Sequence, residues 1–498
     1  MSIPDKKRLP FQVVVGLFPP PLRSMLARVH AGLPGKIFIA GGTVRDLLLG
    51  RKPSDIDLTV VRNAREWASQ LAAESGGTYI LLGREEDAAR VAWKGMDIDF
   101  SSFRGGAASI ETELRKRDIT INSMAVPVHD LLDAGSCDGG NDIRVIDPVH
   151  GLEDLAAGVI RVTSQESFRA DPLRMLRAFR FAAVLGFVLA PDVSEQVHRQ
   201  RQAINSVSSE RIAHELDLIM GSGRAYSAFR ALHDCGLLWE ILPELKAGAG
   251  MEQPASHHLD VFDHCLEALG QMEQVLNDPS QYFPGNTSIM EQYLRGRNRS
   301  VLLKWAALFH DVGKPVTFGI NEDKGGRITF YNHDLQGADI FTVIARRLRW
   351  SGRDTVLVAR LIAGHMRPFF LANNERQGSL TVKACLRLIR AIGEDLPGLF
   401  LLAMADALAG KGESSPEEME KEVADLFSRM VQVEKKYVAP VRSAQPLITG
   451  NDLIQELKMT PGPMFRQILE HVEEAHMEQL IHTRQQALTL AEQYIKSL

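Results

Sequence analysis

Hydrophobic and polar positions follow two textures along the chain. Up to about residue 150, short apolar runs are separated by polar turns. IFIA (37–40) has the length of a buried strand, Gly41-Gly42 marks a turn, TVRDLLLG reads as a helix ending at Gly50, and IDLTVV as a second strand. The pattern predicts a third strand over VAWKGMDIDF, a fourth over MAV after RDITIN, and a short helix over 22–29. From Leu155 onward Leu/Ala/Arg-rich stretches repeat near 3.6 residues with few strand signals. The expected fold class is therefore an α+β N-terminal head with a small mixed sheet, followed by an all-α neck and further all-α regions. Loop-like segments at 246–258 and 277–288 interrupt the helices, and no internal repeat is present.

Composition narrows the function classes. A chain of 498 residues suits roughly three domains of ~150 residues. With 45% hydrophobic and 24% charged residues, it has the composition of a packed globular chain rather than a disordered one. A net charge of −5 means that any nucleic-acid surface must be local. Cysteines 137, 235, 265 and 385 form no CxxC pair, which argues against a zinc ribbon or disulfide framework and fits a reducing, cytoplasmic setting. No apolar run reaches the ~18 residues of a bilayer span, and the N-terminal prolines break any signal-peptide core, so no membrane partner is expected.

The head carries phosphate chemistry. In IFIAGGTVRDLLLGRKPSDIDLTVV two glycines let backbone approach a ligand, and the following helix, with Arg45 in its first turn, offers N–H groups and a cation to phosphate. Asp55 and Asp57 open the next strand; at i and i+2 they share one face while Ile56 points to the core. Taken alone, such a pair reads as a solvated strand end. Beside a Gly-Gly turn it reads as a Mg²⁺ site, because a hard divalent cation relieves the repulsion of two parallel carboxylates.

GGTVRDLLLGRKPSDIDL resembles the signature of the class II tRNA nucleotidyltransferase and bacterial poly(A) polymerase superfamily. RDITINSMAV (117–126), FRADPLRMLRAFRFAA (168–183) and SSERIAHEL (208–216) resemble its later motifs in order, over about residues 35–245. The resemblance implies a template-independent nucleotidyltransferase that adds C, A or both to the tRNA 3′ end from CTP and ATP. Asp55 and Asp57 would be catalytic and hold Mg²⁺, with Asp97 or, preferably, Asp99 as a third carboxylate. Gly42, Arg45, Arg117, Asp171, Arg174, Arg177 and Arg180 would bind nucleotide. Asp118 and Asn122 read equally as turn-capping residues. Asp171 and Arg174, three apart on a helix, match the amine and acceptor edge shared by adenine and cytosine and mismatch guanine and uracil. Asp171-Pro172 reads equally well as a helix N-cap. Arg177 and Arg180 continue the spacing and would steady Asp171, bind phosphate or decorate the surface. The loop that decides between C and A is expected at 104–116.

HHLDVFDHCLEAL, ALFHDVGKP, NHDLQGADI, IAGHM and AMADAL resemble the HD phosphohydrolase superfamily. His264, His310, Asp311 and Asp406 would hold one ion, either a divalent transition metal or Mg²⁺, and His333 and His365 a second, with His310-Asp311 on a helix. A structural or tRNA-contacting role for this region is the alternative. The tail PLITGNDLIQELKMTPGPMFRQIL resembles the C-terminal segment of HD-containing tRNA nucleotidyltransferases, as an RNA-touching helix pair or a packing cap. The expected division is a head over 1–150, a neck over 151–250, an HD domain over 251–410 and a tail over 411–498. Poly(A) polymerase is the alternative within the class, lowered because LLGREEDAARV is acidic where enterobacterial poly(A) polymerases carry a basic strand. A phosphohydrolase acting on nucleotides or cyclic phosphates is the alternative of another class.

Overall fold

The computed structural model describes residues 8–33, 35–83, 87–128, 143–254, 258–324, 326–412 and 418–497. Cys137, residues 84–86 of the acidic stretch and part of the 246–258 segment lie outside them. The chain divides into two compact units, Met1–Arg224 with Ala231–Ile241, and Ala225–Arg230 with Leu242–Leu498. The division drawn from sequence at 150, 250 and 410 is finer than this.

The first unit is built on a six-stranded mixed sheet. Its strands are β1 (Ile37–Ala40), β2 (Asp55–Val60), β3 (Thr78–Leu81), β4 (Ala88–Trp93), β5 (Met96–Ser102) and β6 (Ala125–Pro127), in the order β3-β4-β5-β2-β1-β6. Only β2 and β5 run parallel, in the register Asp55↔Asp97 and Asp57↔Asp99. The single strand expected over VAWKGMDIDF is two strands of a hairpin. Lys94 (φ 47°) and Gly95 (φ 77°) both take left-handed backbone, the requirement of a two-residue turn, and the lysine hides that turn from a composition reading. Strand β3, an exposed edge, was not anticipated. The sheet's inner positions, among them Ile37, Ile39, Leu58, Val91, Ile98 and Phe100, are fully or almost fully buried.

Helix α1 (Pro20–Gly32) starts on prolines that need no N–H partner and covers the expected 22–29 segment. Helices α2 (Gly42–Leu48) and α3 (Ala64–Ser75) follow β1 and β2. The segment 104–116, expected as the loop that decides between C and A, contains a 3₁₀ turn at Arg104–Gly106 and a helix at Ile110–Arg115. Buried Glu113 accepts from the Arg104 backbone and guanidinium at 2.6 and 2.8 Å. Helices α4 (Leu173–Leu185) and α5 (Ser209–Met220) pack against each other, sealed by Leu176, Phe179, Leu216 and Ile219.

The second unit is mainly helical, with α6 (Val261–Asn277), α7 (Arg299–Phe309), α8 (His333–Arg347), α9 (Gly352–Gly364) and α10 (Leu396–Ala409) around one core. It is not wholly so. A hairpin of β7 (Phe318–Asn321) and β8 (Arg327–Phe330) precedes α8, its four-residue strands too short to stand out in the pattern. By length and composition the run Gly352–Arg376 is apolar enough to cross a membrane, but half of its most apolar window is buried inside this unit. At the tail, α11 (Gly450–Gln455), α12 (Pro463–Met477) and α13 (Arg484–Ser497) share their own small core of Leu453, Ile468, Val472, Ala487 and Ala491.

A carboxylate cluster in the head and a histidine-aspartate centre

Thr43, fully buried, fixes the start of β2. Its hydroxyl accepts the Asp57 N–H at 2.8 Å and donates to the Asp55 carbonyl at 3.2 Å, so α2 dictates where both aspartates stand. Gly41 holds φ 76°, and a Cβ there would lie 2.8 Å from Arg117 Nη1 and 3.2 Å from Asp57 Oδ2, so only glycine lets the turn approach the carboxylate. Gly42 opens α2, with the Asp57 carboxylate in contact range. Carboxylate oxygens of Asp55, Asp57 and Asp99 lie within 4.8 Å of one another. Burial, with the neighbouring charge of Asp55, pushes the Asp57 pKa up to about 6, against the pull of Arg117. Carboxylate oxygens crowded this closely are the kind of donor set a hard divalent cation takes.

The basic residues divide. Arg117 is mostly buried and donates to Thr59 Oγ1 at 2.9 Å beside the cluster. Arg45, expected to face phosphate, instead forks onto Asp46 (2.9 and 3.0 Å) and donates to Asn122 Oδ1 (2.8 Å), because its own neighbour supplies the anion. Arg177 holds Asp118 at 2.6 and 2.9 Å and reaches Glu215 at 3.2 Å, and Arg180 donates to Glu215 at 2.9 Å. Burial would raise the Asp118 pKa, but Arg177 holds it down at about 2. These arginines are neither surface decoration nor partners of Asp171. They brace two buried carboxylates, and Arg180 lies 3.6 Å over the Phe181 ring.

Asp171 stands in extended backbone (φ −152°) ahead of α4, not within it, so its relation to Arg174 is that of a cap to a first turn. Its Oδ1 accepts the Leu173 N–H at 3.1 Å and its Oδ2 pairs with Arg211 at 2.7 Å. Arg174 Nη1 donates to Ser167 Oγ at 3.1 Å and toward the Arg117 carbonyl at 3.4 Å.

In the second unit six expected ligands converge. His264 projects from α6 and Asp406 from α10. His310 and Asp311 occupy the turn just after α7 rather than the helix itself. His333 opens α8, and His365 ends α9. His310, His333 and His365 each donate Nδ1–H to a backbone carbonyl, of Ala307, Phe330 and Ile362, at 2.9, 2.7 and 2.7 Å. Their Nε2 atoms therefore turn inward, where Nε2 of His264 and His310 stand 3.2 Å apart and those of His333 and His365 3.3 Å apart. Nitrogens this close need a proton or a cation between them. Asp311 Oδ1 lies 3.2 Å from His333 and 3.5 Å from His365, and Asp406 Oδ1 3.0 Å from His264. Two three-residue groupings, His264/His310/Asp406 and His310/Asp311/His365, have metal-site spacing. Lys314 Nζ meets Asp311 Oδ2 at 2.5 Å. Gly313 permits this packing, since a Cβ would fall 2.1 Å from the His333 carbonyl oxygen. A cavity of 950 Å³ opens over Asp311, His333 and Asp406 and is walled by Phe330, Tyr331 and Phe370.

Sequence reasoning passed over Thr43, Glu215 and Lys314. Thr43 is adjacent to the Gly-Gly turn, and Lys314 lies one turn from Asp311. Glu215, in a motif quoted only for its resemblance, gave no sign of being a buried counter-ion.

A strand-borne carboxylate cluster beside a glycine turn, on a chain that also carries a histidine-aspartate centre, defines a nucleotidyltransferase with a fused HD domain. Family models match in the same order: "Poly A polymerase head domain" over 37–161, "Probable RNA and SrmB-binding site of polymerase A" over 186–248, "HD domain" over 261–430 and "tRNA nucleotidyltransferase domain 2 putative" over 419–491. The chain is 32% identical to the A-adding tRNA nucleotidyltransferase of Deinococcus radiodurans, over 93% of this chain and 96% of that one. It is 29% identical to the CC-adding tRNA nucleotidyltransferase of Thermus thermophilus, over 91% and 92%. Among solved structures, the Thermotoga maritima CCA-adding enzyme complexed with tRNA shares the fold, with a TM-score of 0.61 at 19% identity over 97% of this chain and 98% of that one. The chain belongs to the tRNA nucleotidyltransferase and poly(A) polymerase family.

Proposed function

We propose that the head adds C, A or both to the 3′ end of tRNA, using CTP and ATP and releasing pyrophosphate. The observation that carries this reading is the clamp of Thr43 on both aspartates, which delivers Asp55 and Asp57 side by side next to a glycine turn. In the reaction the RNA 3′-oxygen bonds to the α-phosphorus, the bond from that phosphorus to the β-phosphate bridge breaks, and the hydroxyl proton leaves to solvent. Asp55 and Asp57 would hold Mg²⁺, which when bound acidifies the hydroxyl and neutralises the departing pyrophosphate. Gly41 and Gly42 let the triphosphate approach, Arg117 supplies the adjacent cation, and Asp171 with Arg174 reads the base. Arg45, Arg177 and Arg180 act from behind, holding Asn122, Asp118 and Glu215 in place.

The second unit would hydrolyse phosphoesters. Its imidazole and carboxylate donors suit a divalent transition metal or Mg²⁺, which when bound supplies a hydroxide nucleophile at neutral pH. The 950 Å³ cavity is large enough for a nucleotide-sized ester. Relatives with A-adding and CC-adding names both span nearly the whole chain. The test is therefore tRNA ending before C74, after C75 and complete, each offered single labelled nucleotides. Incorporation of C or A into one of the shortened ends supports the reading. Processive AMP addition to unrelated RNA, with none to tRNA, overturns it in favour of poly(A) synthesis.

A further inference from the structure

The face of the head sheet that carries Asp55 and Asp57 also carries a cation. Arg90 on β4 is paired in register with Asp99 on β5, and β5 in turn places Asp97 and Asp99 beside Asp55 and Asp57. The Arg90 guanidinium forks onto both Asp99 oxygens at 2.7 and 2.8 Å and donates to Asp97 at 2.9 Å. Asp55 stays 3.9 Å away. Four carboxylates thus share one sheet face with a guanidinium that cannot be neutralised at any working pH. The relief is graded: Asp97 and Asp99 are paired directly with Arg90, whereas Asp55 accepts from the neutral Ser54 hydroxyl at 2.9 Å and meets the guanidinium only at 3.9 Å.

We propose that Arg90 is the resident counter-ion of the head: it holds Asp99 out of the metal site, leaves Asp55 and Asp57 as its carboxylate ligands, and sets the divalent-cation concentration at which the head becomes competent. This rests on the reading of Asp55 and Asp57 as metal ligands. A fixed positive charge roughly 4–6 Å from a divalent ion weakens its binding, by about threefold to tenfold at a partly solvated site. Arg90 thereby spaces the head's metal demand above what the bare carboxylates would show, and keeps four like charges assembled when no ion is bound.

The experiment titrates Mn²⁺ into the full chain, follows free ion by electron paramagnetic resonance, and measures in parallel the Mg²⁺ concentration for half-maximal nucleotide addition. Folding of each variant is checked by circular dichroism. Asp57→Asn identifies the head class of Mn²⁺ sites by removing it. Arg90→Met, which keeps the apolar stem, should tighten that same class about threefold to tenfold and lower the half-maximal Mg²⁺ by a similar factor, with Arg90→Lys between the two. Asp99→Asn frees the guanidinium toward Asp55 and should weaken the class, and adding Arg90→Met should restore it. If Arg90→Met leaves Mn²⁺ affinity unchanged, the proposal fails and Arg90 is a strut. If Asp99→Asn stays weak in the Arg90→Met background, it also fails, because Asp99 is then itself a ligand. If Asp57→Asn leaves the Mn²⁺ titration untouched, the underlying assignment of the metal site is what falls.

Discussion

Thr43 accepts the backbone N–H of Asp57 through its hydroxyl at 2.8 Å, so a side chain in α2 decides where a strand begins. The same oxygen donates to the Asp55 carbonyl at 3.2 Å, tying both aspartates to the glycine turn. Thr43→Val keeps the shape and removes both bonds. Leaving the Asp57 N–H without its partner in a buried setting should cost about 1–3 kcal/mol of stability. Loosening the carboxylates should lower nucleotide addition by roughly ten- to a hundredfold. Thr43→Ser retains the hydroxyl and should recover most of both. Equal activity of the Val and Ser variants would show that the clamp is idle.

Asp57→Ala should abolish addition while the chain stays folded. The carboxyl also writes a pH signature on the metal-free protein. Its folded pKa, raised from 3.8 to about 6 chiefly by burial and Asp55, means that the folded state binds the proton more tightly than the unfolded chain. The contribution of Asp57 to stability therefore falls as pH rises from about 4 to about 6 and levels off above. The loss is about 2–3 kcal/mol at most, because the carboxylate keeps some contact with water. In EDTA, the difference in stability between wild type and Asp57→Asn should shift across that window, and Mg²⁺ should erase the shift. A constant difference from pH 4 to pH 7 would refute the burial argument.

The two centres should separate chemically. His310→Ala removes an Nε2 shared by both metal groupings and should eliminate divalent-metal phosphoesterase activity and bound metal in the second unit. CMP and AMP incorporation should stay within several-fold. Gly313→Ala is the geometric counterpart. Its Cβ would meet the His333 carbonyl at 2.1 Å, so α8 must retreat, at a cost of roughly 1–3 kcal/mol. Phosphoesterase activity should fall with it. Collapse of incorporation in a folded His310→Ala protein would mean that the centres are coupled.

What the sequence disclosed, and what it hid, follows from the range of the interactions. Asp55-Ile56-Asp57 was legible because strand alternation is a local rule, and the six candidate ligands of the second unit because each lies in a short motif. Arg90 was not, since its meaning comes from cross-strand register with Asp99 through a turn that Lys94 disguised. Arg177 and Arg180 read as supports of Asp171, phosphate ligands or surface residues because their counter-ions lie 59 and 35 residues away. The hairpin of β7 and β8 vanished into a helical background, four residues being too few to set a period.

Asp171 remains the residue with two descriptions, and one variant separates them. Its Oδ1 caps α4 through the Leu173 N–H at 3.1 Å, and its Oδ2 is taken up by half-exposed Arg211 at 2.7 Å. An ion pair that exposed is worth about 0–1 kcal/mol, so a nucleotide amine can displace Arg211 at little cost. Adenine and cytosine place an amine beside a ring acceptor, matching Asp171 and Arg174. Uracil presents a carbonyl and an N–H, which meets both partners with the wrong polarity. Each mismatch should cost about 1–3 kcal/mol, or roughly ten- to a hundredfold in rate. Asn caps a helix as well as Asp does, so Asp171→Asn should leave thermal stability nearly unchanged. Its amide can still accept from an amine and can also donate to O4 of uracil. If Asp171 reads the base, the CTP/UTP and ATP/UTP preference ratios should fall about tenfold or more, while turnover with the proper nucleotide falls less. Arg174→Ala should instead lower C or A addition by ten- to a hundredfold and let UTP gain relative ground. If capping is the whole role of Asp171, the ratios measured in Asp171→Asn will equal those of wild type.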